Sequence, residues 1–298
     1  MNASALPSQS NLKAALWMVG WLAAMLMMLV AGRATARELD VFQIMEMRSL
    51  IGILLLYPLI YRQGGFATLR TTRPLQHILR NSAHYISQYL WFVALTLIPI
   101  AQVVSIEFTM PIWTAIFAAM FLGERITLWK ALAIVLGLAG VLVIVRPNFN
   151  AVNTGQLIMV AAAIGFGISI VLIKSLTRTD SVVTIIFWML VIQSVIGLIP
   201  AIYVWTTPSA QVWPWLLVVA FCGAYSHYCM AQAMRYADAT VVIPMDFLRM
   251  PLSAVVGWFV YNETLDMFTA VGVALILLGN LLNLKRAPAS AASAQASA

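Results

Sequence analysis

Eight ionisable side chains fall inside long apolar runs: Glu46, Arg48, Arg80, His84, Glu107, His227, Asp246 and Arg249. A charge held in a bilayer is costly, so each such group must pair, face water or serve a solute. Histidine aside, they are three acids and three bases. Complete pairing into salt bridges that fix helix packing is therefore open, beside a role in transport. The expected pairs are Arg48 with Glu107, and Asp246 with Arg249 or with Arg80. Asp246 and Arg249 stand three residues apart, on one helical face.

Polar and aromatic groups gather near these charges. His84 and Gln88 are four residues apart on one run, with Tyr85 adjacent, and Tyr225 and His227 share another. Trp17, Trp91 and Phe108 also lie deep, whereas Trp129, Trp205, Trp213 and Trp215 stand at run ends, as interfacial belts do. Each deep aromatic could serve core or lipid packing. Together they suit a pocket for an apolar or aromatic body with polar anchors for its head. Pro111 frees the carbonyl of Glu107, and Pro251 that of Phe247, each at mid-run. A freed carbonyl in a membrane must find a partner in protein, water or substrate. The prolines read either as plain kinks or as marks of a binding region at interrupted helices.

Enzyme chemistry finds little support. The chain has 3 His and 2 Cys. Cys222 and Cys229 are seven residues apart in one helical run, so roughly 10 Å separates them along the axis, beyond disulfide reach. No metal-ligand spacing and no nucleophile–base pattern is present, and neither metal nor cofactor is expected.

The elements that must position these groups are membrane helices. Of 298 residues, 62% are hydrophobic and 9% charged, with a mean hydropathy of +0.93; soluble domains carry about 25% charged residues. Ten runs long enough to span are read at about 12–32, 42–61, 75–98, 100–122, 128–145, 154–176, 181–205, 212–236, 240–260 and 265–284. The first is read as a helix, not a cleaved signal. The third begins with Gln76, His77, Arg80, Asn81 and His84, so that half must face protein or water. The tail, 287–298, is Ala/Ser-rich and expected to be disordered.

The formal charge of +7 sits mostly in short loops, which points to topology and not to nucleic acid. With the N-terminus inside, eleven basic residues fall inside (Lys13, Arg62, Arg70, Arg73, Arg125, Lys130, Lys174, Arg178, Arg235, Lys285 and Arg286) and three outside (Arg33, Arg37 and Arg146). Both termini are expected in the cytoplasm.

The chain also repeats itself. Glu107 precedes Glu124 by 17 residues and Asp246 precedes Glu263 by the same 17; Phe108 to Pro111 resembles Phe247 to Pro251, and Gly140 and Gly279 continue the register. Five spans per half force the second half to enter from the opposite side, giving inverted repeats at 12–147 and 154–286, a construction of alternating-access carriers. Glu124 and Glu263 could gate or could stabilise the start of the next helix. Gly137, Gly140, Gly272 and Gly279 permit close helix contact.

Phe108 and Pro111 followed by Gly123, Glu124 and Arg125, then Gly137, Gly140 and Arg146-Pro147, with Met47 to Leu50 in the second span, resemble the EamA-type signature. Such proteins belong to the drug/metabolite transporter superfamily, and within it the chain is most similar to YddG-type exporters of amino acids. The resemblance implies an all-α membrane protein of ten transmembrane helices, as two inverted five-helix repeats around a central cavity lined by spans 1, 3, 4, 6, 8 and 9. It implies a monomer in a bacterial inner membrane that exports amino acids or similar small metabolites by alternating access without ATP. A channel, or an exporter of cationic drugs or vitamins, is the alternative. The site it suggests comprises Trp17, His84, Tyr85, Gln88, Phe108, Tyr225, His227 and Phe247. One departure stands out: the small multidrug resistance relatives carry a first-helix glutamate, whereas Leu16 to Gly32 contains no acid.

Overall fold

The computed structural model describes residues 10–122, 127–145, 153–176, 179–237 and 239–284. They form twelve α-helices, one 3-10 turn (Phe66–Leu69) and no strand. The helices are α1 (Asn11–Thr35), α2 (Val41–Arg62), α3 (Pro74–Leu97), α4 (Ile100–Glu107), α5 (Met110–Leu122), α6 (Leu128–Val145), α7 (Thr154–Leu176), α8 (Val182–Tyr203), α9 (Trp213–Tyr236), α10 (Ala239–Asp246), α11 (Arg249–Tyr261) and α12 (Met267–Leu284). Helix ends follow local chemistry. Ser10, Asp40 and Ser181 cap α1, α2 and α8. Pro74 starts α3, where a missing N–H costs nothing. Asn262 ends α11 in a left-handed conformation, φ 53°.

Seven stretches are long and apolar enough to cross a membrane: Asn11–Thr35, Val41–Arg62, Ile100–Phe121, Leu128–Val145, Thr154–Ile173, Val182–Tyr203 and Trp213–Met234. The protein is a multi-pass membrane protein. The polar half-helix α3 shows how such a segment tolerates lipid. Leu75, Ile78, Leu79 and Ile86 point outward, while His77, Arg80, Asn81 and Gln88 are buried. The usual soluble pattern is inverted.

Two rods are interrupted at matching places. α4 gives way to α5 across Phe108–Thr109, and α10 to α11 across Phe247–Leu248. At the first break, Ile112 N–H turns to the Thr109 carbonyl, and Asn280 of α12 donates to the Phe108 carbonyl at 2.9 Å. At the second, the Phe247 carbonyl accepts from Met250 N–H. The carbonyl that a neighbouring helix captures is thus Phe108's, one residue beyond the Glu107 carbonyl that proline geometry singles out.

The helix packing is paired between the halves. α1 lies on α9 as α3 lies on α7, and α2 meets α9 as α3 meets α8. α5 meets α7 as α1 meets α11, α4 meets α7 as α1 meets α10, and α2–α8 and α6–α12 pair with each other. The α6–α12 contact depends on glycine: a Cβ at Gly140 would lie 2.7 Å from the Gly272 carbonyl, and one at Gly279 2.8 Å from that of Ala133. The Leu-Gly-Glu segment at Glu124 and the tail 287–298 lie outside the described residues.

Candidate functional site

Three polar clusters organise the interior. The first lies where α2, α3 and α8 meet. Arg48 Nη2 donates to Gln88 Oε1 at 2.7 Å and to Gln193 Oε1 at 2.8 Å. Gln193 Nε2 lies 3.0 Å from His84 Nδ1, and the His84 ring meets Phe166 edge-on at 5.4 Å. Arg80 donates to Asn81. Arg48 and Arg80 are each 4% exposed, and among the described residues neither has a carboxylate partner. Glu46 accepts from Ser194, while among the described residues its Oε2 and the Tyr85 hydroxyl have no hydrogen-bond partner.

The second cluster sits on the two helix breaks. Arg249, the first residue of α11, donates to Glu107 Oε1 at 2.7 Å and lies 3.4 Å from Asp246 Oδ1. Trp91 Nε1 donates to Glu107 Oε2 at 2.8 Å, and Trp21 Nε1 to Asp246 Oδ1 at 2.6 Å. The Arg249 guanidinium covers the Phe108 ring at 4.8 Å, and Phe108 meets Phe247 edge-on at 5.7 Å. The expected partner of Glu107 is therefore corrected: it is Arg249, not Arg48. The break turns the start of α11 toward the end of α4, which no linear spacing reveals. Asp246 does approach Arg249, whereas Arg80 belongs to the first cluster.

The third closes one end of the bundle, where α1 ends and α2 begins. Arg33 donates to Glu263 and to the carbonyls of Leu95 and Ile98. Glu263 Oε2 accepts from Ile100 N–H at 2.8 Å, so it caps α4 and not the following helix. Arg33 also lies over the Tyr261 ring at 4.7 Å. The ends of α1, α3 and α11 and the start of α4 are joined by one ion pair.

At the opposite end a cavity of about 470 Å3 opens between α2, α8 and α9. Its walls include Leu56, Leu59, Ile186, Phe221, Tyr225 and Tyr228. Phe221 stacks on Tyr225 at 5.1 Å, and Trp17 meets Tyr228 edge-on at 5.6 Å. A smaller void of about 10 Å3 shares Ile186 and Ala224 with this cavity and is lined by Arg48. Of the sequence-predicted set, Tyr225 lines the cavity and Trp17 backs its wall. His84 and Gln88 hold the Arg48 network, Tyr85 stands beside Glu46 across Gly197, and Phe108 and Phe247 belong to the second cluster. His227 lies within electrostatic reach of Arg48 and Arg80. The predicted set is thus divided among three places and not gathered on one cavity wall. Pro111 and Pro251 flank the breaks.

Sequence reading passes over Gln193, Trp21 and Arg33. Gln193 is the one carboxamide in a mostly apolar helix whose other small polar groups are Thr184 and Ser194, and that is the signal that finds it. Outside the spans, Asp180 accepts from His77 at 2.7 Å and from Thr71 at 2.6 Å. Burial pushes its carboxyl up, but the hydrogen bonds outweigh this and hold it below the usual carboxylate range.

The EamA-like transporter family profile matches residues 12–146 and 153–285. The chain belongs to the EamA-like transporter family. Its EamA relatives include an S-adenosylmethionine uptake transporter of Rickettsia felis, 27% identical over 85% of each chain. A riboflavin transporter of Brucella anthropi is 32% identical over 78% of this chain and 83% of its own. The Pseudopaline exporter CntI of Pseudomonas aeruginosa is 27% identical over 83% of this chain and 87% of its own. A solved crystal structure, 18% identical, shares the fold with a TM-score of 0.64 over 92% of this chain and 97% of that one. Relatives named as transporters on both matched halves point to a non-enzyme role: a transporter of small molecules.

Proposed function

We propose that this EamA protein is a secondary carrier of small solutes that combine an apolar or aromatic body with a carboxylate, amino acids first among them. One observation carries this: Arg48, buried and without a carboxylate partner among the described residues, lines a small void that shares Ile186 and Ala224 with a cavity walled by Phe221, Tyr225 and Tyr228. A guanidinium seeks an anionic oxygen, and aromatic walls favour a flat apolar body. The residues assigned to the solute are Arg48, Gln88, Gln193, Tyr225 and Tyr228, with His84, His227 and Trp17 supporting them.

The paired helix packing supports two inverted repeats of five spans each, counting α4–α5 and α10–α11 as single interrupted spans. In the orientation that the loop charges favour, the termini are in the cytoplasm of a bacterium, the cavity opens there, and the Arg33–Glu263 pair closes the opposite side. Alternating access then requires that pair to part while α2 and α9 close. In export the described state loads; in uptake it releases.

A second reading has its own support. The carboxamides of Gln88 and Gln193 and the His84 ring could meet the edge of a planar heteroaromatic ring, and riboflavin and S-adenosylmethionine, the solutes in the relatives' names, carry such rings. Counterflow into proteoliposomes with radiolabelled amino acids, riboflavin and S-adenosylmethionine tests both. Exchange of an aromatic amino acid, lost in Arg48→Gln, is the expected result. Exchange of riboflavin alone moves the reading to the second class. Unitary conductance steps in planar bilayers without counterflow would show a channel.

A further inference from the structure

The Arg48 guanidinium is only partly occupied. Nη2 holds Gln88 and Gln193, and Nε has no hydrogen-bond partner among the described residues. Nη1 faces Gly223 of α9: a Cβ there would lie 3.5 Å from Nη1 and 3.8 Å from Cδ, with nothing nearer. Gly223, Ala220 and Ala224 of α9 and Ile186 and Met189 of α8 enclose the void of about 10 Å3 against Arg48. That volume is about one water-sized probe.

Most buried glycines here are explained by crowding. A Cβ at Gly32 would lie 3.0 Å from Phe92, one at Gly52 3.0 Å from Leu190, and one at Gly197 2.8 Å from the Tyr85 hydroxyl. Gly223 is different, since alanine would fit there in ordinary contact. A helix-interior glycine is unfavourable relative to alanine, and close helix packing does not account for it here. What the missing side chain leaves is the small void beside the guanidinium, which shares Ile186 and Ala224 with the aromatic cavity.

We propose that Gly223 is a specificity-determining residue: it holds open a narrow neck through which a flat carboxylate reaches Arg48 Nη1, while tetrahedral anions are excluded. This rests on the reading of Arg48 as the solute's anchor. A carboxylate is one atom thick across its plane and can slide past Ala224 and Ile186. A phosphonate presents oxygens in three directions and needs a wider passage. Substitution at Gly223 closes the neck in proportion to side-chain size, without touching the Gln88 and Gln193 bonds.

The test uses full-length wild type, Gly223→Ala and Gly223→Val in proteoliposomes, with Arg48→Gln as the labelling blank and thermal stability measured for each. Phenylglyoxal modification of Arg48, followed by peptide mass spectrometry, needs no solute. It should slow at least tenfold in Gly223→Val and by an intermediate factor in Gly223→Ala. In counterflow, wild type should prefer phenylalanine to its aminophosphonate analogue at least tenfold, and Gly223→Val should lose about tenfold in apparent affinity for phenylalanine. Unchanged labelling in both variants, or equal exchange of carboxylate and phosphonate by wild type, overturns the neck. If Gly223→Val is unstable, Gly223→Ala decides by labelling alone. If wild type exchanges no amino acid while the variants still shield Arg48, the neck stands and the amino-acid reading falls.

Discussion

Removing Arg249 should destabilise the protein more than removing the carboxylate it holds, and removing both should cost less than the sum. Arg249 is 3% exposed and is the only cation among the described residues that meets Glu107 or Asp246. Arg249→Met leaves the buried Glu107 and the half-buried Asp246 facing each other's field, and stripping one partner from a buried pair costs about 3–5 kcal/mol. Glu107→Gln is milder. The amide oxygen can still accept from Trp91 or Arg249, and Arg249 keeps Asp246 at 3.4 Å. The loss is then that of a charge-assisted hydrogen bond, about 1.5–3 kcal/mol. In the double variant only Asp246 stays charged, with Trp21 as its donor, so the combined loss should fall short of additivity by about 1–2 kcal/mol. Cys222 and Cys229 are free and buried, so a thiol-reactive dye reports unfolding of the detergent-solubilised protein directly. At roughly 2–4 °C per kcal/mol, Arg249→Met should melt about 10 °C lower. Arg48→Met combined with Glu107→Gln should be additive, because Arg48 is bound by Gln88 and Gln193. Additive losses for Arg249 and Glu107, or coupling of Glu107 to Arg48 instead, would refute the cluster described here.

Arg33→Gln should loosen the closed end. With Cys222 and Cys229 replaced by Ser, a cysteine at the buried position Val104 should label roughly five- to thirtyfold faster, the factor for 1–2 kcal/mol; an unchanged rate means the ion pair is no latch. Asp180, held below the usual carboxylate range, contributes stability that is complete above the unfolded value near about 4 and lost as pH falls through the folded value. The melting gap between wild type and Asp180→Asn should therefore be open at neutral pH and close on acidification below about pH 4; a gap that widens in acid contradicts the assignment. Gly140→Ala places a methyl 2.7 Å from the Gly272 carbonyl, so α6 and α12 must part, at about 1–3 kcal/mol. A melting point equal to that of wild type would show that the contact yields freely.

Much of the architecture is legible because lipid imposes a simple code. Length and hydropathy mark seven of the ten expected runs as able to span, and two prolines mark the helix breaks: Phe108 to Pro111 and Phe247 to Pro251 stand at the two interruptions, where the phenylalanine rings meet, whereas Pro58 and Pro200 lie within unbroken helices. The pairing of charges is less legible. Sequence distance places Asp246 beside Arg249, but Glu107 meets Arg249 only because the end of α4 packs against the start of α11. Glu263 is the same case: it lies just before α12 in sequence, yet it caps α4, because the end of α11 packs on the start of α4. The division of the aromatic and polar residues among three places depends on the rotation of each helix about its axis, and a helix polar on one face and apolar on the other, such as α3, fixes that rotation only for itself.

The distribution of buried charge bears on what the carrier can hold. Over the described membrane core, three carboxylates face three guanidiniums, yet contact divides them unevenly. Arg48 and Arg80 lie with Glu46 among α2, α3 and α8, leaving one positive charge in excess. Glu107 and Asp246 share Arg249 at the breaks, leaving one negative. An uncompensated charge in a low-dielectric interior is costly, and Arg48, part of the positive excess, borders the small void that shares Ile186 and Ala224 with the cavity. An anionic head entering there offsets the excess, whereas a cationic drug would add to it. The same argument separates neutral from anionic solutes: a neutral ring can satisfy the carboxamides of Gln88 and Gln193 but leaves the charge on Arg48 where it was. Arg48→Gln should therefore abolish exchange of a carboxylate solute while sparing that of a neutral ring, and this one variant, assayed with phenylalanine and riboflavin side by side, distinguishes the two solute classes. Equal loss of both would mean that Arg48 holds the helices rather than the solute.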